Sequence, residues 1–357
     1  MKKIKFFYFL IVLLLNLNSF GQDLYGGIEI GSQGIKCSII QINNIKTESY
    51  VSKEFWTTNI GLAKNLSKNR QLEEAKIDEA VKVVVADFER MQNEFKIKIG
   101  DIYIVASSGV KVATNIETLI DKIRDITMKN VNVISVATES KLLLRGCVPE
   151  KNFMNSLIID IGGNNIKGGF VTDNKNKNIT FAPINLNFGT VSFSELLNQK
   201  SGNKLKIEPF IEEIFNYIPT LDKQIIEMLN QNDLCKSKEN IYLTGGAPWA
   251  FCMMDIAVVN DDYNEFTFLD LQNYNATLKN NFESYEKSSE TNKNVAQVLK
   301  TYNRRQLLAA NTLLMSTLEN IGNLESKKIY YSKYGQIAWL KSYVLDAANG
   351  IKFPYEN

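Results

Sequence analysis

The sequence predicts an α/β fold of two similar lobes with a cleft between them, and an internal duplication is the main reason. Residues 28–36 and 159–167 follow one pattern, in which an apolar strand ends on an acid, a turn of small residues follows, and a second strand begins with Ile-Lys. Each copy opens a run of three predicted strands, after which helices alternate with strands. Because a repeated unit of this size indicates a duplicated core, we expect the ligand in the cleft between the lobes.

The elements of the first half follow from apolar spacing and turn residues. Gly31 and Gly34 suit the turn after the first strand, since glycine tolerates positive φ. Apolar residues three or four apart, such as Val81, Val84 and Phe88, form one stripe of a helix. The predicted strands span 25–30, 35–42, 49–56, 101–106 and 131–136, and the predicted helices span 76–95, 116–127 and 139–145.

The second half repeats this opening and adds further helices. The predicted strands span 156–160, 166–172, 178–187, 239–244 and 328–331, and the predicted helices span 191–198, 207–229, 303–318 and 336–345. Pro219 is expected to interrupt the helix over 207–229, because proline removes a helical hydrogen bond. The segment 261–294 is polar around an aromatic minority, and we interpret it as a decorated loop or mixed insertion.

The first 21 residues are typical of a secretory signal peptide. Lysines precede an apolar run over 6–15 that is too short to span a bilayer, and the small residues Ser19 and Gly21 follow. We therefore expect residues 1–21 to be removed and the protein to be exported, either periplasmic or secreted, and the alternative is an uncleaved anchor. The mature chain would then form domain I over 22–147 and domain II over 148–357, with the last helix expected to pack back on domain I.

Composition excludes several classes of site and partner. The chain has 357 residues, a net charge of +2 and no histidine. Without histidine there is no Ser-His-Asp triad, no phosphohistidine nucleophile and no His-ligated zinc. The balanced charge predicts no affinity for nucleic acid or, after signal cleavage, for membranes. Four cysteines show no CxxC spacing, and we expect buried thiols at Cys37 and Cys252, although export would permit disulfides.

Both hairpins carry groups suited to a metal-bound phosphate. Glu29 and Asp160 end buried strands, where a carboxylate needs a partner such as Mg²⁺ or the amides of its own turn. The turns offer backbone N–H groups to phosphate oxygens, although glycine and asparagine also favour plain hairpins. The turn residues expected to bind phosphate are Gly31, Ser32, Gly162, Gly163 and Asn164. Three lysines, each otherwise a solvated surface residue, are the candidate cations: Lys36, Lys111 and Lys167.

Five segments in order resemble the exopolyphosphatase / guanosine pentaphosphate phosphatase (Ppx/GppA) family of the actin, sugar-kinase and Hsp70 ATPase-domain superfamily. They are residues 29–36, 106–115, 134–139, 160–165 with the continuation 187–195, and 243–246. The resemblance implies two actin-like (ribonuclease H-like) domains around an interlobe cleft, a Mg²⁺ cofactor, and polyphosphate or another phosphorylated small molecule as ligand. A homodimer is left open.

The resemblance also assigns roles to single residues. Glu139 matches the family's water-activating carboxylate, and its alternative is an inert acid in the first turn of a helix. Asp160 would act in catalysis and, with Glu29, in holding the metal, and Gly245 and Gly246 would contact phosphate. The chain departs from the family at Glu29, Lys111, Thr138, Asn164, Asn165, Lys167, Ala247–Trp249 and Ile337. Lys167 stands where the family has an acid, so its side chain would fill the metal position.

Three functions remain open at this point. The first is an exported, exopolyphosphatase-like phosphoanhydride hydrolase that releases terminal phosphate from polyphosphate or a related polyanion, with Glu139 activating water. The second is an inactive relative that binds phosphate or nucleotide, because several donors and acids of the family pattern are missing. The third is an ATP-dependent small-molecule kinase, which export argues against. Trp249 is interpreted as a core or cleft-wall residue and not as a base-stacking platform.

Overall fold

The computed structural model describes residues 23–175, 178–202, 206–256 and 262–351. The described chain forms two lobes, each built on one mixed sheet with helices packed against it. The predicted signal peptide and the first position of the 261–294 segment lie outside the described residues. Among the described helices, none combines the length and apolarity that a membrane span requires.

The first lobe contains a five-stranded sheet in the order β3-β2-β1-β4-β5. Its strands are β1 Leu24–Ile30, β2 Gly34–Asn44, β3 Ser49–Asn59, β4 Ile102–Ala106 and β5 Val131–Val133. Strands β1, β2 and β3 are antiparallel neighbours, whereas β4 is parallel to β1 and β5 to β4. The predicted strand over 131–136 is shorter than expected, because Ser135 caps a helix that begins at Val136.

Five helices belong to this part of the chain. They are α1 Leu66–Asn69, α2 Glu74–Asn93, α3 Ser108–Lys111, α4 Ile116–Thr127 and α5 Val136–Cys147, and a 3₁₀ turn spans Ile99–Asp101. The apolar stripe that predicted α2 is buried, with Ile77, Val84 and Met91 fully covered. It packs with α4 against β1 and β4, which forms the core of the lobe.

The second lobe repeats this topology around a six-stranded sheet in the order β10-β11-β9-β6-β7-β8. Its strands are β6 Ser156–Ile161, β7 Ile166–Lys175, β8 Asn178–Leu186, β9 Asn240–Gly245, β10 Tyr263–Phe266 and β11 Lys328–Ser332. Strands β6, β7 and β8 again form an antiparallel meander, and β9 lies parallel to β6 as β4 lies parallel to β1. The duplication read from the sequence is therefore a duplication of topology.

The helices of the second half differ from the prediction at several places. They are α6 Thr190–Lys200, α7 Glu208–Leu229, α8 Gly246–Asp255, α9 Phe268–Asn280, α10 Phe282–Ser288, α11 Lys293–Thr301, α12 Arg304–Ile321 and α13 Gly335–Ala348. Short 3₁₀ helices span Glu150–Asn155, Asp233–Cys235 and Leu324–Ser326. Helix α7 continues through Pro219, so the predicted interruption is wrong. Helix α8 was not predicted, because glycine and proline at its start are more typical of a turn.

The segment interpreted as a decorated loop or mixed insertion is folded. Its described part contains β10, α9, α10 and the first two residues of α11. Helix α9 begins with a capping box between Thr267 and Asp270, and Leu271, Tyr274 and Leu278 are buried in the core of the second lobe. The loop interpretation failed because only a few apolar residues, at helical spacing, anchor a mostly polar helix.

A third cluster of buried residues joins the two lobes through α5 and α13. A Cβ atom on Gly27 of β1 would come 2.5 Å from Val344, and one on Gly146 would come 2.6 Å from the Ala338 carbonyl oxygen. The last helix therefore packs directly on the first sheet and on α5. Arg145 reinforces this packing by donating to both oxygens of Asp346, at 2.8 and 2.7 Å. All four cysteines are buried free thiols, which confirms the expectation for Cys37 and Cys252.

Candidate active site

A cleft of about 590 Å³ lies between the lobes, and both glycine-containing hairpins contribute to its wall. Most of the residues predicted from the sequence line it. They are Glu29, Gly31, Ser32, Lys36, Glu139, Asp160, Gly162, Gly163, Lys167, Gly245 and Gly246. Of the predicted residues, Lys111 and Asn164 are not among those that line the cleft. Lys111 ends the short helix α3.

The two hairpins face each other across this cleft at close range. A Cβ atom on Gly163 would lie 3.6 Å from the Gln33 side chain, and one on Gly109 would lie 2.5 Å from the Ser32 hydroxyl. Asn165 of the second hairpin donates to the Ser108 hydroxyl at 3.3 Å. The turns of both lobes and the start of α3 therefore meet at one place.

The first hairpin is held by its carbonyl groups. The Ser32 carbonyl accepts from the Ala63 N–H at 2.8 Å, and the Gln33 carbonyl accepts from the Ile60 and Gly61 N–H groups at 2.9 and 2.8 Å. Because a peptide group is planar and trans, the N–H of Gln33 points away from the carbonyl that Ala63 binds. Within the described chain, the Gln33 N–H donates no hydrogen bond.

The second hairpin repeats this arrangement. The Gly162 carbonyl accepts from the Thr190 N–H at 2.9 Å, and the Gly163 carbonyl accepts from the Val191 N–H at 2.8 Å. The N–H groups of Gly163 and Asn164 therefore point away from the start of α6, and neither donates to any described residue. Both turns thus present backbone donors that have no partner among the described residues, which is the arrangement of an anion-binding nest.

Each hairpin also carries an acid and a lysine directly across from one another. Glu29 of β1 pairs in register with Lys36 of β2, and Asp160 of β6 pairs in register with Lys167 of β7. The Lys36 ammonium lies 3.0 Å from Glu29 Oε1, and the Lys167 ammonium lies 2.7 Å from Asp160 Oδ2. Opposed residues of an antiparallel pair share one face of the sheet, so these ion pairs follow from the hairpin register.

Glu139 lies in the first turn of α5, and both of its carboxylate oxygens have partners. Oε2 accepts from the Ser108 N–H at 2.9 Å, and Oε1 lies 3.2 Å from the Lys167 ammonium. Only 1% of Glu139 is exposed. The Ser135 cap starts the helix at this point and so aims the acid at the cleft. Lys167 therefore bridges two carboxylates. Asp160 belongs to the same hairpin as Lys167, and Glu139 belongs to α5, which packs between the two lobes.

Comparison with known proteins identifies the family to which this arrangement belongs. A sequence model of the Ppx/GppA phosphatase family matches residues 41–335. The chain belongs to the Ppx/GppA phosphatase family. The resemblance predicted from five short segments is thereby confirmed.

Two curated relatives of this Ppx/GppA protein match over part of their length. A bifunctional 3-dehydroquinate synthase/phosphatase of Fusobacterium nucleatum is 24% identical over 204 residues, which cover 53% of this chain and 30% of the relative. A guanosine-5'-triphosphate,3'-diphosphate pyrophosphatase of Pseudoalteromonas atlantica is 23% identical over 239 residues, which cover 66% of this chain and 44% of the relative. The chain thus spans less than half the length of these relatives.

Solved structures of Ppx/GppA proteins share the fold. An exopolyphosphatase from Cytophaga hutchinsonii superposes with a TM-score of 0.71 at 18% identity, covering 92% of this chain and 99% of that one. A Ppx/GppA family member from Aquifex aeolicus has a TM-score of 0.64 at 17% identity, with 92% and 99% covered. The predicted two-lobed, actin-like α/β fold is confirmed.

The charges in the cleft of this Ppx/GppA protein influence one another. Burial raises the pKa of Glu29 to about 7, although the Lys36 ammonium opposes this rise, and the charge of Glu139 adds to it. Burial alone would lower the pKa of Lys167, but the charges of Asp160 and Glu139 and its hydrogen bonds with them outweigh burial and raise it. We conclude that the Lys167 side chain is held as an ammonium between two carboxylates.

The residues present do not fit a Mg²⁺ ion held by protein ligands. Mg²⁺ needs an octahedron of oxygens at about 2.0–2.1 Å. Among the described residues, no three acids, cysteines or histidines are grouped as metal ligands would be. The two acids predicted to hold the metal each have a lysine at hydrogen-bond distance, Glu29 with Lys36 and Asp160 with Lys167.

The glycine pair after β9 has a packing role that the sequence did not reveal. Gly245 has φ of +95°, and a Cβ atom there would lie 2.3 Å from Asp160 Oδ1. A Cβ atom on Gly246 would lie 2.2 Å from the Tyr302 hydroxyl. Glycine at both positions allows the start of α8 to approach the carboxylate and the aromatic wall of the cleft.

Several residues that line the cleft were not predicted as site residues from the sequence. Gln33, Ser107, Asn165, Lys333 and Tyr334 line the cleft together with Trp249. Trp249 packs 6.1 Å from the Tyr302 ring, in agreement with its interpretation as a cleft wall. Lys333 and Tyr334 follow the short strand β11, and only the parallel pairing of β11 with β9 brings that strand end to the cleft. No local pattern around these residues indicates that position.

Proposed function

We propose that this protein is an exported, exopolyphosphatase-like hydrolase that releases terminal phosphate from polyphosphate or a related phosphorylated small molecule. The observation that carries the proposal is the placement of Glu139 in a cleft whose two walls present unpaired turn amides. Two similar proteins, an exopolyphosphatase and a guanosine-5'-triphosphate,3'-diphosphate pyrophosphatase, support a phosphoanhydride as substrate.

The turn amides would bind the non-bridging oxygens of the terminal phosphoryl group. Gln33 supplies an N–H from one lobe, and Gly163 supplies one from the other. Lys36 and Lys333 also line the cleft and add positive charge for the rest of a polyanion. Catalysis of phosphoryl transfer depends mainly on such positioning and charge stabilisation. Loss of one well-placed donor typically slows a reaction by about 10²–10³-fold.

Glu139 would serve as the general base. A water oxygen forms a bond to the terminal phosphorus while the bond from that phosphorus to the bridging oxygen breaks. The shortened chain leaves with that electron pair, and Glu139 accepts the proton that the water loses. The Ser108 N–H holds Oε2 in place, so the carboxylate is oriented before substrate binds. A positioned carboxylate contributes about 10²–10⁴-fold to such a step.

The test is phosphate release from long-chain polyphosphate and from tripolyphosphate by the chain from residue 22 onwards. We expect Glu139→Gln to lose about 10²–10⁴-fold in kcat, because it removes the proton acceptor. Glu150→Gln, an exposed acid outside the cleft, is the matched control and should retain activity. Equal phosphate release by wild type and Glu139→Gln would contradict the assignment.

Export is a separate part of the proposal and rests on the sequence of residues 1–21. Fusion of this segment to a reporter enzyme that is active only outside the cytoplasm tests it. We expect reporter activity, and its loss when the apolar run over 6–15 is interrupted by two aspartates. A cytoplasmic reporter would argue against export and would favour the ATP-dependent kinase instead.

A second candidate function is phosphate or nucleotide binding without turnover. It is favoured by Lys167, whose ammonium forms ion pairs with both Glu139 and Asp160. A ligand that binds only the folded state raises its stability. This candidate therefore predicts that tripolyphosphate raises the unfolding temperature of both wild type and Glu139→Gln while neither releases phosphate. No stabilisation by millimolar polyphosphate, phosphate or nucleotide would rule out this function.

A further inference from the structure

The acid and lysine pair occurs twice, once in each hairpin, at the same register. Glu29 lies opposite Lys36, and Asp160 lies opposite Lys167. In each lobe, the acid near the end of the first strand therefore faces a lysine of the second strand. The side chains contact each other at 3.0 and 2.7 Å. The arrangement is therefore a property of the duplicated unit and not of one side chain.

Lys167 is enclosed on several sides. Its ammonium lies 2.7 Å from Asp160 Oδ2 and 3.2 Å from Glu139 Oε1. The turn of the second hairpin closes over it, since a Cβ atom on Gly162 would be 3.7 Å away. Only 5% of the residue is exposed. The 2.7 Å distance is that of a charge-assisted hydrogen bond, and both N–O distances exceed the roughly 2.0–2.1 Å at which oxygens coordinate Mg²⁺.

Two buried carboxylates without a cation would be strongly destabilising, so the site needs positive charge in either case. A divalent ion and an ammonium are alternative sources of that charge. The ammonium is covalently attached and present in the free protein, and it brings donors but no open coordination position for a phosphate oxygen.

We infer that the Lys167 ammonium takes the place of a divalent cation in this protein, so that the cleft binds its phosphorylated ligand without Mg²⁺. Lys167 holds Glu139 and Asp160 at fixed positions and acts as a positioning residue. The inference rests on the proposed function only for the nature of the anion. The charge balance itself concerns the free protein and can be measured without any phosphate.

The first experiment is a calorimetric titration of the wild-type protein with MgCl₂ in the absence of phosphate. We expect no saturable binding at millimolar Mg²⁺ and the same unfolding temperature in EDTA and in Mg²⁺. Stoichiometric binding of one Mg²⁺, reversed by EDTA, would overturn the inference, and this result does not depend on any variant.

The second experiment uses substitutions at Lys167. Lys167→Asp places a third carboxylate beside Glu139 and Asp160 and should gain one Mg²⁺ site, seen as binding heat and as stabilisation by Mg²⁺ but not by Na⁺ at equal ionic strength. Lys333→Asp is the matched control, since Lys333 lines the same cleft without an ion pair to either acid. If a folded Lys167→Asp protein gains no more Mg²⁺ affinity than Lys333→Asp, the inference is wrong.

The third experiment measures tripolyphosphate binding in EDTA and in MgCl₂. Because Mg²⁺ also binds tripolyphosphate itself in solution, the deciding measurement is the one in EDTA, where we expect binding no more than about twofold weaker than in MgCl₂. A loss of more than about tenfold in EDTA would overturn the inference. Absence of tripolyphosphate binding in both buffers would contradict the proposed function, while the Mg²⁺ titration would still decide the role of Lys167.

Discussion

The ammonium of Lys167 lies 2.7 Å from the carboxylate of Asp160, directly across the second hairpin. The resemblance to the family implies an acid in place of this lysine. The same ammonium reaches Glu139 at 3.2 Å and so connects the hairpin of one lobe to the helix that enters the other. The stability and the chemistry of the cleft therefore depend on one buried cation.

Removal of this cation should destabilise the fold. Lys167→Met leaves Asp160 and Glu139 buried beside each other without a positive partner, and we expect the free energy of unfolding to fall by about 3–5 kcal/mol. Urea unfolding monitored by circular dichroism measures this change. Lys333→Met is the control and should cost no more than about 0.5 kcal/mol. Equal losses for the two variants would show that the ion pair contributes nothing specific.

Glu29 should make stability depend on pH. Its pKa in the folded protein is raised from 4.5 to about 7, chiefly by burial. The folded state therefore keeps a proton that the unfolded chain releases, so the stabilisation is complete below pH 4.5 and is lost as the pH rises to about 7. A rise of this size corresponds to roughly 3 kcal/mol.

Comparison of wild type with Glu29→Gln isolates this contribution, because the other titrating groups are common to both proteins. We expect the difference in free energy of unfolding between the two proteins to shift in favour of the variant between pH 4.5 and 7. Denaturant unfolding at three pH values across this range suffices. A difference that does not change with pH would mean that Glu29 ionises normally in the folded protein.

Gly245 should tolerate no side chain. Gly245→Ala combines a positive φ of +95° with a Cβ position 2.3 Å from Asp160 Oδ1. Gly202→Ala is a matched control, since Gly202 also has positive φ, at +68°, but nothing lies within 4 Å of its Cβ position. Backbone strain alone costs about 1–3 kcal/mol, so we expect Gly245→Ala to exceed Gly202→Ala clearly in thermal unfolding. Tripolyphosphate affinity should fall only in Gly245→Ala, because only that substitution displaces Asp160.

Arg145 should attach the last helix to the rest of the fold. It contacts both oxygens of Asp346 in α13 and, at 2.9 Å, Glu48 in the turn between β2 and β3. Arg145→Met leaves the buried Asp346 without its partner, and we expect a loss of roughly 3 kcal/mol in the free energy of unfolding.

Arg124→Met provides the control for this prediction. Arg124 pairs with Asp121 on the exposed face of α4, and such pairs contribute about 0–1 kcal/mol. Urea unfolding of both variants makes the comparison. If Arg145→Met is no more destabilising than Arg124→Met, apolar packing alone holds α13 in place.

Much of the fold could be predicted because local patterns determine it. The apolar stripe of α2 and the apolar runs of β1 and β2 are each contained in a short stretch of sequence, and the predicted boundaries of these elements lie within a few residues of the observed ones. The same patterns did not predict the helices of segment 262–294, because these helices bury few side chains and depend on the second lobe to cover them. Sequence patterns therefore succeeded where an element carries its own apolar face.

The contacts of the site fall into two groups: ion pairs within one hairpin, and contacts between elements that are distant in the chain. The spacing of Lys36 after Glu29, and of Lys167 after Asp160, places each lysine opposite its acid as soon as the tight turn forms, so the sequence by itself determined those two ion pairs. Only the tertiary structure decided that Lys167 also meets Glu139, that Ser108 holds this acid, and that Lys111 lies off the cleft wall. Hairpin register is set by a few neighbouring residues, whereas the approach of α5 and α3 to the second lobe depends on packing between elements distant in the chain, which no local periodicity encodes.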